Sequence, residues 1–127
     1  MKIHHIAVMT DDIFRLKNFY ETYFDAKAGD LYHNPKTGIL SYFLTFEGGS
    51  QIELIYKPHE NVKRACCECP GYLHLAFTPG NRAGVDALTK RLADDGYEVV
   101  SQPRVTGDGY YESVVLDCDG NRIEITR

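Results

Sequence analysis

No apolar run in this 127-residue chain approaches the ~20 residues of a membrane-spanning helix, and the opening Met1-Lys2-Ile3-His4-His5 lacks the apolar stretch of a signal peptide. The expectation is a cytoplasmic protein with no membrane partner. Nor is there an excess of positive charge. Fourteen basic residues face 18 acidic ones, for a formal charge of −4, so a general attraction to nucleic acid or anionic lipid is not expected. A Ser-His-Asp order and a phosphate-cradling glycine loop are missing too, which weakens nucleophilic and phosphoryl-transfer readings. The cysteines fit no standard zinc-site spacing, and an ordinary apolar content removes the need for disulfide staples. Cys66, Cys67, Cys69 and Cys118 therefore read as reduced thiols, the first three within a linker. What is present is ordinary globular material: 43% hydrophobic and 25% charged residues, with nine Tyr and six Phe. One domain over 1–127 and a small-molecule partner are expected.

The hydrophobic pattern runs twice. Residues 2–9 suit a strand, and Thr10-Asp11-Asp12 offers N-cap oxygens to a helix with Ile13, Leu16, Tyr20 and Phe24 on one face. Past Gly29 and the turn cluster at 34–38, the runs 39–46 and 51–56 read as strands separated by Gly48-Gly49. The second half repeats this with a strand at 72–77, then a helix carrying Val85, Leu88 and Leu92, with Gly96 at its C′ position. Strands follow at 97–101, 110–117 and 122–126, the last two forming a hairpin around Asp119-Gly120. The chain is thus predicted to be α+β, with two tandem βαβββ modules. Module one covers about 1–57, a polar connector about 58–70 and module two about 71–127. Such a duplication predicts that equivalent strands carry residues toward a shared centre.

His5 and His74 stand in the first strand of each half, and Glu53 and Glu124 in the last. His5 precedes Glu53 by 48 positions and His74 precedes Glu124 by 50. Each carboxylate is flanked by aliphatics, where an ionised group needs a partner. For any one of the four taken alone, a satisfied core histidine or a solvated strand glutamate is the better reading. The matched quartet favours metal: two imidazoles and two carboxylates form an N2O2 set suited to a divalent Ni, Zn, Co, Mn or Fe ion.

The same residues carry a resemblance. His5-Ile6-Ala7-Val8 with Asp12 and Phe19-Tyr20, then Ile52-Glu53-Leu54, then His74-Leu75-Ala76-Phe77, resemble the vicinal oxygen chelate superfamily, the glyoxalase/bleomycin resistance/dioxygenase fold. The ending Asp117-Cys118-Asp119-Gly120-Asn121-Arg122-Ile123-Glu124 is similar to that family's D-x-D-G-x-x-I-E and is the most specific signal. Within the family, the likeness is to the glyoxalase I, or lactoylglutathione lyase, type. The resemblance implies paired modules forming an open concave sheet around one divalent metal held by His5, Glu53, His74 and Glu124. It also implies a homodimer in which a second subunit completes the cup.

The implied reaction is that of a lyase or isomerase used in methylglyoxal detoxification. It converts the hemithioacetal of a 2-oxoaldehyde and a thiol to a 2-hydroxyacyl thioester, with Glu124 as the main base and Glu53 serving the opposite face. Glutathione-using members carry Arg four residues after the first His and Asn four after the first Glu. Met9 and Lys57 stand here instead, so the thiol is left open, and Lys57, Arg104 and Arg122 are candidates to bind an anionic group. Two alternatives remain: another reaction on the same metal (epimerisation, thiol addition to an epoxide, or dioxygen-dependent ring cleavage), or a non-catalytic drug- or metabolite-binding dimer.

Other features have plainer readings. Asp117-x-Asp119-Gly120 lacks the remaining oxygen ligands of a calcium loop and reads as a turn. Gly107-Asp108-Gly109 is a turn or a flap beside the cup. His4, expected on the face opposite His5, and His33 and His59 take solvated or structural roles.

Overall fold

Burial alternates along both final strands, as a sheet with one face against a helix requires. In Gln51–Tyr56, Ile52 and Leu54 are buried while Gln51, Glu53 and Ile55 face the other way; in Arg122–Thr126, Ile123 and Ile125 are buried and Glu124 is not. The computed structural model describes residues 2–58 and 70–127. The connector residues 59–69, with His59, Cys66, Cys67 and Cys69, lie outside the described residues. The chain divides into two compact units, Met1–Ala65 and Cys66–Arg127.

Unit one contains β1 (Ile6–Met9), α1 (Ile13–Tyr23), β2 (Lys27–Ala28), β3 (Tyr32–His33), β4 (Leu40–Thr45) and β5 (Gln51–Tyr56). Its sheet order is β1-β5-β4-β2, with β3 also on β4; β1 runs parallel to β5 and the other pairs are antiparallel. The second strand expected of a βαβββ module is therefore present as two short pieces, separated by Gly29-Asp30-Leu31.

Asp12 caps α1 by accepting the Arg15 N–H at 3.0 Å. Ile13, Leu16, Phe19 and Tyr20 then bury against the sheet face that carries Leu44, Ile52 and Leu54. Each such side chain contributes roughly 1.5–3 kcal/mol when fully buried.

Unit two contains β6 (Leu75–Phe77), α2 (Arg82–Asp94), β7 (Val99–Val105), β8 (Tyr111–Leu116) and β9 (Arg122–Thr126), in the order β6-β9-β8-β7 with β6 parallel to β9. In both units the first strand lies beside the last, so the duplication holds for topology as well as pattern. The fold is α+β, with two mixed sheets, neither of them closed. Asn81 caps α2 by accepting the Gly84 N–H at 2.8 Å. At the far end, Gly96 at φ 90° lets the Tyr97 N–H donate to the Leu92 carbonyl at 2.9 Å, the C′ role expected of it. Beneath α2 lie Val115, Ile123 and Ile125.

Several boundaries differ from expectation, three of them by more than a residue or two. β1 and β6 begin at Ile6 and Leu75, so His5 and His74 each stand one residue ahead of their strand. β7 continues to Val105, through Pro103. As the edge strand, with register shifts against β8, it tolerates a residue that cannot donate to a ladder. Among the described residues, no helix is long and apolar enough to cross a membrane.

Candidate metal and substrate site

The register of β1 on β5 places Ala7 opposite Glu53, and the chain just before β1 brings His5 beside that carboxylate. His5 Nε2 lies 3.5 Å from Glu53 Oε2, with side-chain exposures of 34% and 21%. In unit two, Ala76 is opposite Glu124, and His74 Nε2 lies 3.4 Å from Glu124 Oε2. Two ligand atoms on one ion at ~2.0–2.2 Å stand roughly 3–3.5 Å apart, so each pair fits two adjacent positions on a divalent metal. Among the described residues, no group of three or more His, Cys, Asp or Glu gathers into a metal site. The four candidates are thus present as two matched pairs.

The surroundings of the pairs differ. His5 packs its ring edge against Phe43, at 5.2 Å between centroids, and Phe43 is the β4 residue opposite Glu53. His5 Nδ1 lies 2.9 Å from His4 Nδ1. The expectation that His4 faces away from His5 is thereby corrected, because both precede β1 and strand alternation does not govern them. A neutral His5 that donates from Nδ1 to His4 presents its Nε2 lone pair toward Glu53, the form in which imidazole binds a metal.

At Glu124 the opposing β8 residue is Val114, and the next residue on the same face of β8 is Glu112. Glu112 meets Arg104 of β7, Nη2 to Oε1, at 3.7 Å. Burial above all, and then the Glu124 carboxylate, pushes the Glu112 carboxyl above its usual range, against the pull of Arg104. Glu112 was not among the sequence candidates. Its alternation with Val114 and Leu116 in a foreseen strand put it on that face, but only the register shows its nearness to Glu124.

Arg104 is paired with Glu112. Arg122 opens β9 two residues before Glu124, on the same face by alternation. Lys57 directly follows the end of β5.

Glu124 owes its place to the preceding turn. Asp117, 4% exposed, accepts the N–H groups of Asp119 at 2.9 Å and Asn121 at 2.8 Å, and the Asn121 side-chain amide at 2.8 Å. Gly120 turns the chain at φ 72°, and β9 begins two residues on. The D-x-D-G-x-x-I-E pattern is thus a turn clamp followed by a buried Ile and an outward Glu. Burial pushes the Asp117 carboxyl up, while these hydrogen bonds pull it down.

On the Glu53 face of unit one lies a cavity of about 390 Å³. Ile39, Phe43 and Ile55 give it apolar walls, Ser41 and Glu53 add oxygens, and the exposed Asp30 and Tyr32 complete the lining.

The model of the Glyoxalase/Bleomycin resistance protein/Dioxygenase superfamily matches residues 2–125, and the chain belongs to that superfamily. It is 29% identical over 96 residues to a Bacillus subtilis (strain 168) protein called "Uncharacterized protein YwkD", covering 76% of this chain and 73% of that one. Among solved structures it is similar to a glyoxylase/bleomycin resistance protein/dioxygenase domain from Frankia sp. EAN1pec, with a TM-score of 0.83, 19% identity, and 99% and 96% of the two chains covered. The trypanothione-dependent glyoxalase I of Leishmania major gives a TM-score of 0.79 at 19% identity, over 98% of this chain and 85% of that one. At these identities the structural likenesses establish the fold alone.

Proposed function

We propose that the protein is a metal-dependent, glyoxalase I-type lyase of the cytoplasm that converts the hemithioacetal of a 2-oxoaldehyde into a 2-hydroxyacyl thioester. The observation that carries this reading is the repeated His–Glu pair, at 3.5 Å in unit one and 3.4 Å in unit two, on equivalent strands. His5, Glu53, His74 and Glu124 would hold one divalent ion, drawn from Ni, Zn, Co, Mn or Fe, with two such sites in a homodimer. When bound, such an ion would offer positive charge to substrate oxygens on which negative charge develops.

The chain's own residues move the proton. A carboxylate oxygen of Glu124 takes it from the carbon bearing sulfur. The same proton is then returned to the neighbouring carbon while the carbinol O–H proton passes to the former ketone oxygen, so that a carbinol becomes a thioester carbonyl and a ketone becomes a hydroxyl, with no net oxidation. Glu53 serves substrate bound with its proton on the opposite face.

The test is elemental analysis of the purified protein. Metal is then stripped and each ion returned separately, with thioester absorbance followed from methylglyoxal and a panel of thiols. One ion per chain, and thioester with at least one metal and thiol, are expected. His74→Ala is expected to lose most of its metal; normal metal content in that variant would overturn the assignment.

A further inference from the structure

The cavity beside Glu53 is chemically one-sided. Its volume of about 390 Å³ lies at the lower end for small-molecule pockets. Phe43 and Ile55 give it apolar walls, Tyr32 adds a second ring, and the charged side chains among its described lining residues are both acidic, Asp30 and Glu53. No Lys or Arg is among those residues.

The two acids have different calls upon them. Glu53 faces His5 and, on the metal reading, shares its charge with the ion. Asp30 sits in the break between β2 and β3, exposed, and among the described residues no cation pairs with it. Its charge remains uncompensated at the cavity when the metal is bound. A carboxylate-bearing ligand would therefore meet repulsion, while an organic cation would gain both the Asp30 charge and the aromatic faces of Phe43 and Tyr32.

We infer that this cavity takes an organic ammonium group on an apolar body, and that the thiol adduct turned over is that of an aminothiol rather than of a polycarboxylate thiol. This rests on the isomerase reading for its substrate, but the charge preference belongs to the cavity itself. The contrast between units supports the same side: the face of unit two presents the Arg104–Glu112 pair, while the corresponding β3–β4 pairing in unit one joins Tyr32 to Ser41.

The test is run on the metal-free full chain, without turnover. Titration calorimetry or tyrosine fluorescence compares 2-phenylethylammonium, 3-phenylpropanol and 3-phenylpropionate at low salt. The ammonium is expected to bind about tenfold more tightly than the alcohol, and the carboxylate more weakly than either. Asp30→Asn should cut the ammonium's advantage, with Glu53 accounting for what remains, and leave the alcohol unchanged, which a merely unfolded variant would not do. Equal binding of ammonium and carboxylate, or an Asp30→Asn variant that keeps the preference undiminished, would overturn the inference. Failure of the isomerase reading would appear separately, as absent thioester with every metal and thiol while the preference for the ammonium persists.

Discussion

Thr89 of α2 and Ser113 of β8 join hydroxyl to hydroxyl at 2.6 Å in the interior of unit two, both of them buried. Thr89 Oγ1 also donates within its own helix to the Val85 carbonyl at 2.7 Å, so in the shared bond Ser113 acts as the donor. Thr89→Val removes the acceptor and leaves a buried hydroxyl alone, at an expected cost of about 1–3 kcal/mol by urea denaturation. Ser113→Ala should cost less, because Thr89 keeps its helix carbonyl. The double variant should be more stable than the sum of the single losses predicts; strict additivity would show that the two hydroxyls are not coupled.

On the proposed metal reading, His4 would bear on the ion through His5. With its partner removed, the His5 ring is free to rotate and to change tautomer. His4→Phe is expected to weaken metal binding by roughly 10–100-fold, the usual effect of losing a group that orients a ligand. Calorimetric titration with Zn or Ni measures it, and an unchanged affinity would dismiss His4 as a positioning residue.

Glu124→Gln separates ligation from proton transfer. At metal concentrations high enough to load the variant, turnover should still fall by about 10²–10⁴-fold, the usual contribution of a general base. Recovery of full activity at saturating metal would leave Glu124 a ligand only.

Each unit holds one His–Glu pair, which makes subunit exchange informative. Chains carrying His5→Ala and chains carrying His74→Ala are each expected to be inactive. In a homodimer whose sites draw one pair from each subunit, mixing the two restores one intact site and measurable activity. A fully active monomer by light scattering would refute this assembly.

Asp117 predicts a direction for stability against pH. Its carboxyl is pushed above its usual range by burial, so the folded protein holds that proton more tightly than the unfolded chain. The stabilisation is fully present below the ordinary aspartate range and is lost as pH rises through the raised value. Denaturant unfolding from acidic to neutral pH should show this slope in the wild-type chain relative to Asp117→Asn, which lacks the ionisation. Parallel profiles for the two proteins would assign the slope elsewhere.

Much of unit architecture can be read along the chain because its causes are local. The spacing of Ile13, Leu16 and Tyr20 and the cap at Asp12 specify α1 whatever it packs against. The alternation in Gln51–Tyr56 and Arg122–Thr126 likewise shows which residues face a helix, and so marks Glu53 and Glu124 as outward. The belonging of the chain to its superfamily follows from the same motifs. Element ends were less legible: β7 runs through Pro103 because an edge strand asks less of its N–H groups, and edge position is not written near that proline.

What the sequence by itself determined is the order of elements within each half and the buried face of each helix, since each depends on residues within a turn or two of one another, and the four candidate ligands, which the matched spacing of the two halves singles out. Only the tertiary structure decided that Glu112 stands near Glu124 and meets Arg104, that Thr89 meets Ser113, and that Asp30 reaches the cavity holding Glu53. Those relationships rest on strand register and on helix docking over a sheet. Both are set by how separate segments minimise exposed apolar surface together, and no single segment carries that information.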